Sequence, residues 1–205
     1  GNEIAAGEGR AGNICIQNPW PGAFQTIWKN RERYVKTYYE KYCKDPKSTD
    51  WRDWPYLAGD AAVLAKDGYV RILGRIDDVI NVAGHRLGTK EIESAALTAE
   101  EVAEAAVVSV HDEVKGIIPD LYVSLKPGFD PSEALARKVS DTVSDVLGKI
   151  ARPGHVYIVD DMPKTRSGKI MRRILASISN YNDVGDVTTL ANPQIVEQIR
   201  KQVQD

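Results

Sequence analysis

From residue 77 onward, short apolar segments typical of β-strands alternate with segments of helical periodicity. The strand-like segments are 79–82, 105–111, 121–125 and 156–159, and the helix-like segments are 89–97, 132–147 and 170–178. The resulting order, β-α-β-β-α-β-α, predicts a small α+β unit of ordinary domain size. Residues 1–76 are β-rich instead, apart from a helix-compatible stretch at 27–42. An amphipathic stretch at 194–203 predicts a terminal helix that docks on the surface.

Composition narrows the class of protein. The chain has 205 residues, 42% of them hydrophobic, and a formal net charge of −2, so it can bury one or two cores. A general nucleic-acid binder would be strongly basic. The two cysteines, Cys15 and Cys43, make no disulfide framework and favour a reducing, cytoplasmic compartment. No stretch approaches the ~20 apolar residues of a membrane span. Because the sequence starts without methionine and in mid-pattern, we expect a piece of a longer chain.

The segment Pro163–Arg173 reads Pro-Lys-Thr-Arg-Ser-Gly-Lys-Ile-Met-Arg-Arg and lies between the strand-like 156–159 and the helix-like 170–178. Gly168 gives the backbone the freedom to present the next side chain. That side chain is Lys169, a mobile cation suited to meeting negative charge as it develops on a phosphoryl or carboxylate oxygen. The segment therefore predicts a functional lysine on a glycine-containing loop.

Other interpretations of this segment also start from the residues. Most basic runs are solvated surface loops. A phosphate loop of the form G-x-x-x-x-G-K-[ST] would need glycine at 163 and serine or threonine at 170, where the chain has Pro163 and Ile170. A nucleic-acid module built on residues 164–173 is disfavoured by the net charge, and no Phe, Trp or Tyr lies between 160 and 175 to stack on bases.

The Pro163–Arg173 spelling resembles the catalytic-lysine motif of the AMP-forming acyl-CoA synthetases, members of the ANL superfamily of adenylate-forming enzymes, and among them the acetyl-CoA synthetases. Three other patterns occur in the order that the family requires: Gly59-Asp60, Gly74-Arg-Ile-Asp-Asp78 and Asn81-Val-Ala-Gly-His-Arg-Leu-Gly88. The resemblance implies an α+β fold in which 1–76 is the C-terminal, β-rich part of the large AMP-binding domain. Residues 77–205 would then be the small mobile C-terminal domain.

The resemblance also implies roles for individual residues. Asp60 would bind the ribose hydroxyls of the adenylate, and Arg75 and Arg86 would contact the nucleotide, Arg86 at the ATP phosphates. A carboxylate suits Asp60's role because it accepts two hydroxyl protons. Asp77 would be the hinge between the domains, and Lys169 the catalytic residue of adenylation.

Further implied sites concern CoA and a metal. Ala83 and Gly84 would line the tunnel for the pantetheine chain of CoA. A structural Mg²⁺ would be held by three backbone carbonyls after the first helix of the small domain, those of Leu97, Ala99 and Val102. The family arginine for the CoA 3′-phosphate falls at Ser144, which cannot supply the charge. Either Lys138 or Lys149 substitutes, or CoA is held differently.

The implied reaction is that of an acetate–CoA ligase, an acid–thiol ligase that makes acetyl-CoA from acetate, ATP and CoA through acetyl-AMP. We expect the 205 residues alone to be inactive, because nothing in them resembles the family's phosphate loop or acyl pocket. Lys169 is also the position where an acetyltransferase would remove the cation and a deacetylase restore it. The competing hypothesis is a non-catalytic α+β module that binds a partner or an acyl carrier.

Overall fold

The computed structural model describes residues 2–76, 78–82, 85–113 and 116–204, without the side chains at 79, 81, 85 and 86. The chain divides into two compact units, Gly1–Asp77 and Asp78–Asp205. Each unit has its own sheets and its own buried residues. The interpretation of these units as parts of two enzyme domains stays a prediction.

The first unit is built on an antiparallel sheet with the strand order β1-β2-β3. Its strands are β1 (Ala11–Ile16), β2 (Tyr56–Leu64) and β3 (Val70–Arg75), and its helix is α1 (Arg31–Tyr38). The predicted helix over 27–42 is therefore too long. Asn30 caps α1, since its side chain accepts a hydrogen bond from the Arg33 N–H at 3.0 Å, and only a short 3₁₀ turn follows at 40–42.

Aromatic residues explain why the region around α1 is compact. The ring of Tyr38 stacks on that of Tyr56 with centroids 5.3 Å apart, and Phe24 meets the edge of Tyr34 at 4.9 Å. Such pairs bury large apolar rings and favour offset or edge-to-face geometry. The aromatic and charged residues that suggested one long helix thus serve to pack a short helix on β2.

The second unit confirms the predicted mixed fold and, apart from one additional strand, the predicted element order. Its elements are β4 (Val79–Val82), β5 (His85–Gly88), α2 (Thr89–Ala96), β6 (Val102–Asp112), β7 (Gly116–Leu125), α3 (Glu133–Leu147), β8 (Val156–Ile158), α4 (Arg172–Ser179) and α5 (Ile195–Gln204). The sequence did not predict β5. It pairs with β4 as an antiparallel hairpin in the register Asn81↔Arg86 and Val79↔Gly88, directly before α2.

A three-stranded sheet, β6-β7-β8, separates two apolar cores. β6 and β7 are antiparallel and β8 is parallel to β7. Side chains alternate between the two faces of a strand. On β6, Val107 faces the core formed with α2 and α3, whereas Ala106 and Val108 face the core formed with α4 and α5. Each face of the sheet is thus covered by a pair of helices.

The terminal segment contributes to the second of these cores. Ile195, Val196 and Ile199 of α5 are buried, and Leu190, in the preceding loop, is only 5% exposed. The prediction of a docked amphipathic helix is therefore confirmed. In the part of the chain that the structure describes, no helix combines the length and apolar character needed to cross a membrane.

Candidate functional site

Lys169 lies at the end of a tight, hydrogen-bonded loop. The Thr165 N–H donates to the Lys169 carbonyl at 2.8 Å, and the Gly168 N–H donates to the Thr165 carbonyl at 2.8 Å. The Lys169 N–H in turn donates to Thr165 Oγ1 at 3.1 Å. Gly168 has φ +80°, a conformation that glycine adopts without the cost an L-residue would have. The loop closes on itself and leaves the Lys169 side chain exposed, as the sequence predicted.

An ion-pair network holds the segment that enters the loop. Lys164 Nζ lies 2.8 Å from Asp161 Oδ1 and 2.7 Å from Glu104 Oε2 on β6, and the Lys164 side chain is only 23% exposed. Hydrogen bonds from Lys164 to these two carboxylates, first to Asp161, raise its pKa. Asn192 adds a third contact, because its Oδ1 accepts from the Lys164 N–H at 3.0 Å while its amide donates to Asp161 Oδ2 at 2.9 Å.

A second ion pair holds the segment that leaves the loop. Arg172, the first residue of α4, donates from Nε and Nη2 to the two carboxylate oxygens of Glu93 on α2, each at 2.8 Å. Burial by itself would lower the pKa of the Arg172 guanidinium, but the hydrogen bonds and charge of Glu93 raise it. The Lys169 loop is therefore held on both sides by charged contacts to other elements.

The basic cluster of the motif is thus not a uniform cationic surface. Arg173 donates to the Val184 carbonyl and, at 2.9 Å, to the Asp186 carbonyl, so it holds the terminal segment. Together with Lys164 and Arg172, three of the five cations between 164 and 173 are engaged within the unit. The exposed cationic side chains of the loop are those of Arg166 and Lys169.

In the first unit the structure brings together two of the predicted nucleotide-binding residues. Asp60 on β2 pairs in register with Arg75 on β3, and Arg75 Nη1 lies 3.9 Å from Asp60 Oδ1. Arg75 also donates to the Ala58 carbonyl at 3.2 Å. Its guanidinium lies directly over Gly59, where a Cβ would come within 2.5 Å of Nη1. A glycine at 59 therefore lets the carboxylate and the guanidinium share one end of the sheet.

The β4–β5 hairpin carries the next set of predicted residues. The backbone of Arg86 pairs with Asn81 across this hairpin, which places residue 86 three positions before the start of α2 at Thr89. Its side chain lies outside the described part of the structure, as do Ala83 and Gly84 and the predicted hinge Asp77. Their roles stay predictions.

The residues predicted to hold Mg²⁺ lie in the turn between α2 and β6. Ala99 and Val102 are buried and Leu97 is 46% exposed. The Ala99 carbonyl accepts from the Val102 N–H at 3.2 Å. Carbonyl oxygens are hard donors of the type that Mg²⁺ binds, so the donor chemistry fits. No side-chain cluster of His, Cys, Asp or Glu suited to a metal occurs among the residues that the structure describes.

Two lysines were predicted as possible replacements for the arginine that binds the CoA 3′-phosphate. They differ in whether a carboxylate already pairs with them. Lys138 forms an ion pair with Glu101, which raises the lysine pKa through their hydrogen bond. Ser144 Oγ donates to the Ser140 carbonyl at 3.0 Å, within its own helix. Lys149 follows α3 in a short 3₁₀ turn and is exposed. Of the two lysines, only Lys138 forms an ion pair with a carboxylate among the residues that the structure describes, so Lys149 is the more available cation.

The loop supports, Glu93, Glu104 and Asn192, were not predicted from the sequence. Nothing in the sequence around Glu93 marks it as buried. It lies 79 residues from Arg172, and Glu104 lies 60 residues from Lys164. The only local sign of these supports was that a cationic residue stands on each side of the loop, Lys164 before it and Arg172 after it.

The chain is similar to known AMP-binding enzymes and CoA ligases. Residues 91–169 match the family model of the AMP-binding enzyme C-terminal domain. An ATP-bound RpMatB-BxBclM chimera superposes with a TM-score of 0.72 at 30% identity, covering 91% of this chain and 33% of that chain. The anthranilate CoA ligase AuaEII in complex with anthranoyl-AMP gives 0.70 at 30% identity, covering 88% and 32%. Over residues 91–169 the chain is therefore similar to the C-terminal domain of AMP-binding enzymes.

The sequence relatives point to a narrower class of enzyme than the family model does. The chain is 46% identical over 204 residues to the acetyl-coenzyme A synthetase of Rubrobacter xylanophilus, which covers 99% of this chain and 30% of that protein. It is 44% identical over 201 residues to that of Gemmatimonas aurantiaca, which covers 98% and 29%. The similarity thus extends over nearly the whole chain to acetyl-coenzyme A synthetases. The chain spans only 29–30% of the length of these relatives.

Proposed function

We propose that this chain forms the C-terminal part of an AMP-forming acetate–CoA ligase, with Lys169 as the residue that catalyses adenylation. The observation that carries the proposal is the loop of Lys169. It presents one exposed lysine from a closed turn whose two sides are held by ion pairs. The 44–46% identity to acetyl-coenzyme A synthetases over the same residues supports acetate as the substrate.

In the first step an acetate oxygen attacks the α-phosphorus of ATP, the bond to pyrophosphate breaks, and acetyl-AMP forms. Charge develops on the oxygens around phosphorus, and a positioned cation lowers the energy of that state. Lys169 would supply this cation. Asp60 would accept hydrogen bonds from the ribose hydroxyls, beside Arg75 on the same sheet end, and Arg86 would reach the phosphates.

In the second step the thiol of CoA attacks the acetyl carbonyl of acetyl-AMP, and the products are acetyl-CoA and AMP. Ala83 and Gly84 would border the pantetheine chain, where small residues allow close approach to the backbone. The same domain would serve both steps by rotating about Asp77, a position at the boundary between the two compact units.

Three further parts of the proposal concern the metal, the compartment and regulation. Mg²⁺ on the carbonyls of Leu97, Ala99 and Val102 would stabilise the α2–β6 turn. The free cysteines suit a cytoplasmic location. Lys169 would also be the target of a protein acetyltransferase and a deacetylase, because its exposed ammonium is accessible and acetylation removes its charge.

The test uses a complete ligase in which this chain replaces the matching 204 residues of the Rubrobacter xylanophilus relative. Acetate-dependent ATP–pyrophosphate exchange measures adenylation, and thioester formation from supplied acetyl-AMP measures the second step. Lys169→Ala should lower exchange by roughly 100- to 1000-fold, the usual loss when one group that stabilises developing charge is removed. Thioester formation should persist. Lys201→Ala, an exposed lysine on α5, is the matched control.

A folded chimera without exchange, or exchange that survives Lys169→Ala, would contradict the proposal. In the second case the motif would be only a basic loop, and the competing module that binds a partner or an acyl carrier would become the better explanation. Replacing acetate with propionate in the same assay tests the acyl specificity, which should favour acetate.

A further inference from the structure

Glu93 is an acidic side chain in the interior of the second unit, with only 4% of the side chain exposed. It accepts four hydrogen bonds from three elements. The Val107 N–H on β6 donates to Oε1 at 3.1 Å, Lys90 Nζ donates to Oε2 at 2.9 Å, and Arg172 on α4 donates to both oxygens. Buried carboxylates are expensive unless they are paired and fully hydrogen-bonded. Glu93 meets that condition at the junction of α2, β6 and α4.

Arg172 supplies the most directional of these contacts. Its Nε and Nη2 each lie 2.8 Å from one Glu93 oxygen, which is the bidentate geometry that fixes a guanidinium in orientation as well as in position. Arg172 is the third residue after Lys169, and Met171 between them donates to the Pro163 carbonyl at 2.7 Å. A shift of Arg172 would therefore move the end of the loop that carries Lys169.

Glu93 also lies close in sequence to the β4–β5 hairpin. α2, which carries Glu93, begins at Thr89, directly after β5. The ion pair thus joins the element that follows the β4–β5 hairpin to the element that follows the Lys169 loop. Most surface ion pairs contribute little, but in this bidentate pair Glu93 is buried, Arg172 is only 24% exposed, and a backbone N–H shares the carboxylate, so breaking it has a structural consequence.

We propose that Glu93 and Arg172 are positioning residues for adenylation, which hold the Lys169 loop in its reactive orientation by a buried bidentate ion pair between α2 and α4. The inference rests on the proposed role of Lys169. Neither residue needs to touch substrate, because a displacement of about 1 Å in a catalytic group can cost on the order of 100-fold in rate. The pair acts through the loop that it anchors.

The first experiment measures loop order in the 205-residue chain by amide hydrogen exchange. Arg172→Lys keeps the positive charge, but a lysine cannot form the two parallel hydrogen bonds to the Glu93 carboxylate that the guanidinium forms. The loop amides that are hydrogen-bonded here, Thr165, Gly168 and Lys169, should exchange about tenfold faster, while the β7 amides that are paired with β8 should not change. Arg137→Lys is the matched control, because its ion pair with Glu133 is exposed (72% and 93%). Loop exchange equal to that of the parent would overturn the proposal.

The second experiment measures both half-reactions in the chimeric ligase. Arg172→Lys should lower kcat for ATP–pyrophosphate exchange on the order of 10- to 100-fold. It should leave thioester formation from acetyl-AMP within about twofold, whereas a merely structural defect would lower both steps alike. Equal losses in the two steps, or no loss, would overturn the positioning role. Lys169→Ala run alongside separates the failures, since unaffected exchange in that variant would overturn the proposed function instead.

A third comparison tests the pair as a unit. Glu93→Gln keeps an acceptor for the Val107 N–H but removes the carboxylate that pairs with Arg172, and Arg172→Gln leaves Glu93 with Lys90 as its remaining cation. In the double variant both charges are absent and two amides can hydrogen-bond. Its exchange activity should therefore be no lower than that of the weaker single variant. Multiplicative losses in the double variant would show that the two residues act independently.

Discussion

The buried hydrogen bond between Tyr122 and Ser179 offers a quantitative test of how α4 is held on the sheet. Tyr122 on β7 is fully buried, and its hydroxyl lies 2.6 Å from Ser179 Oγ. Ser179 in turn interacts with Asp120, whose pKa is raised by burial and lowered in part by His155 and Ser179. Ser179 therefore lies between the Tyr122 hydroxyl and the Asp120 carboxylate and interacts with both. Two substitutions should therefore have unequal effects.

The expected cost of each substitution follows from the partners left behind. Tyr122→Phe leaves Ser179 with Asp120, so one hydrogen bond is lost and the free energy of unfolding should fall by about 1 kcal/mol. Ser179→Ala leaves both the Tyr122 hydroxyl and the Asp120 carboxylate without this partner, and the loss should approach about 3 kcal/mol. The double variant should cost no more than Ser179→Ala, because the tyrosine hydroxyl that would have been unpaired is gone.

Urea unfolding followed by far-UV circular dichroism measures these values. The four tryptophans, at 20, 28, 51 and 54, all lie in the first unit, so their fluorescence identifies its transition and allows that of the second unit to be assigned. Additive losses in the double variant, within about 0.5 kcal/mol, would refute the argument, since residues that share a hydrogen bond should be coupled.

Two further predictions concern the candidate nucleotide site and the Lys169 loop. Gly59→Ala should lower the free energy of unfolding by more than Gly68→Ala does; both glycines have positive φ, which costs roughly 1–2 kcal/mol for an L-residue, but only at 59 would the new Cβ meet the Arg75 guanidinium. Equal losses in urea unfolding would argue against that close approach. The hydrogen bond from Lys164 lowers the Asp161 pKa against the opposing effect of burial, so this stabilisation is present above the ordinary aspartate pKa of about 3.9 and is lost as the pH falls through the lowered value. Lys164→Met should therefore flatten the acid limb of unfolding free energy against pH, and an unchanged limb would exclude this ion pair as its source.

The element order of the second unit was predictable because its signals are local. Apolar runs of strand length, a capping serine at 132 and an amphipathic terminal stretch all act within a few residues of one another. β5 was missed since four residues carry too little periodicity to distinguish a strand from a loop. The helix over 27–42 was too long because aromatic residues that pack on β2 imitate a helical face.

In the candidate site, too, some features were predictable from local sequence and others depended on contacts between distant residues. The amino-acid sequence showed Gly168-Lys169 between a strand-like and a helix-like segment, and Asp60 before Arg75 along the chain. It did not show that Lys164 and Arg172 hold the loop while Lys169 stays exposed, or that Glu93 is buried. The reason is that the availability of a charge depends on its partners and its burial. Those partners lie 60 and 79 residues away along the chain, beyond the reach of any local pattern.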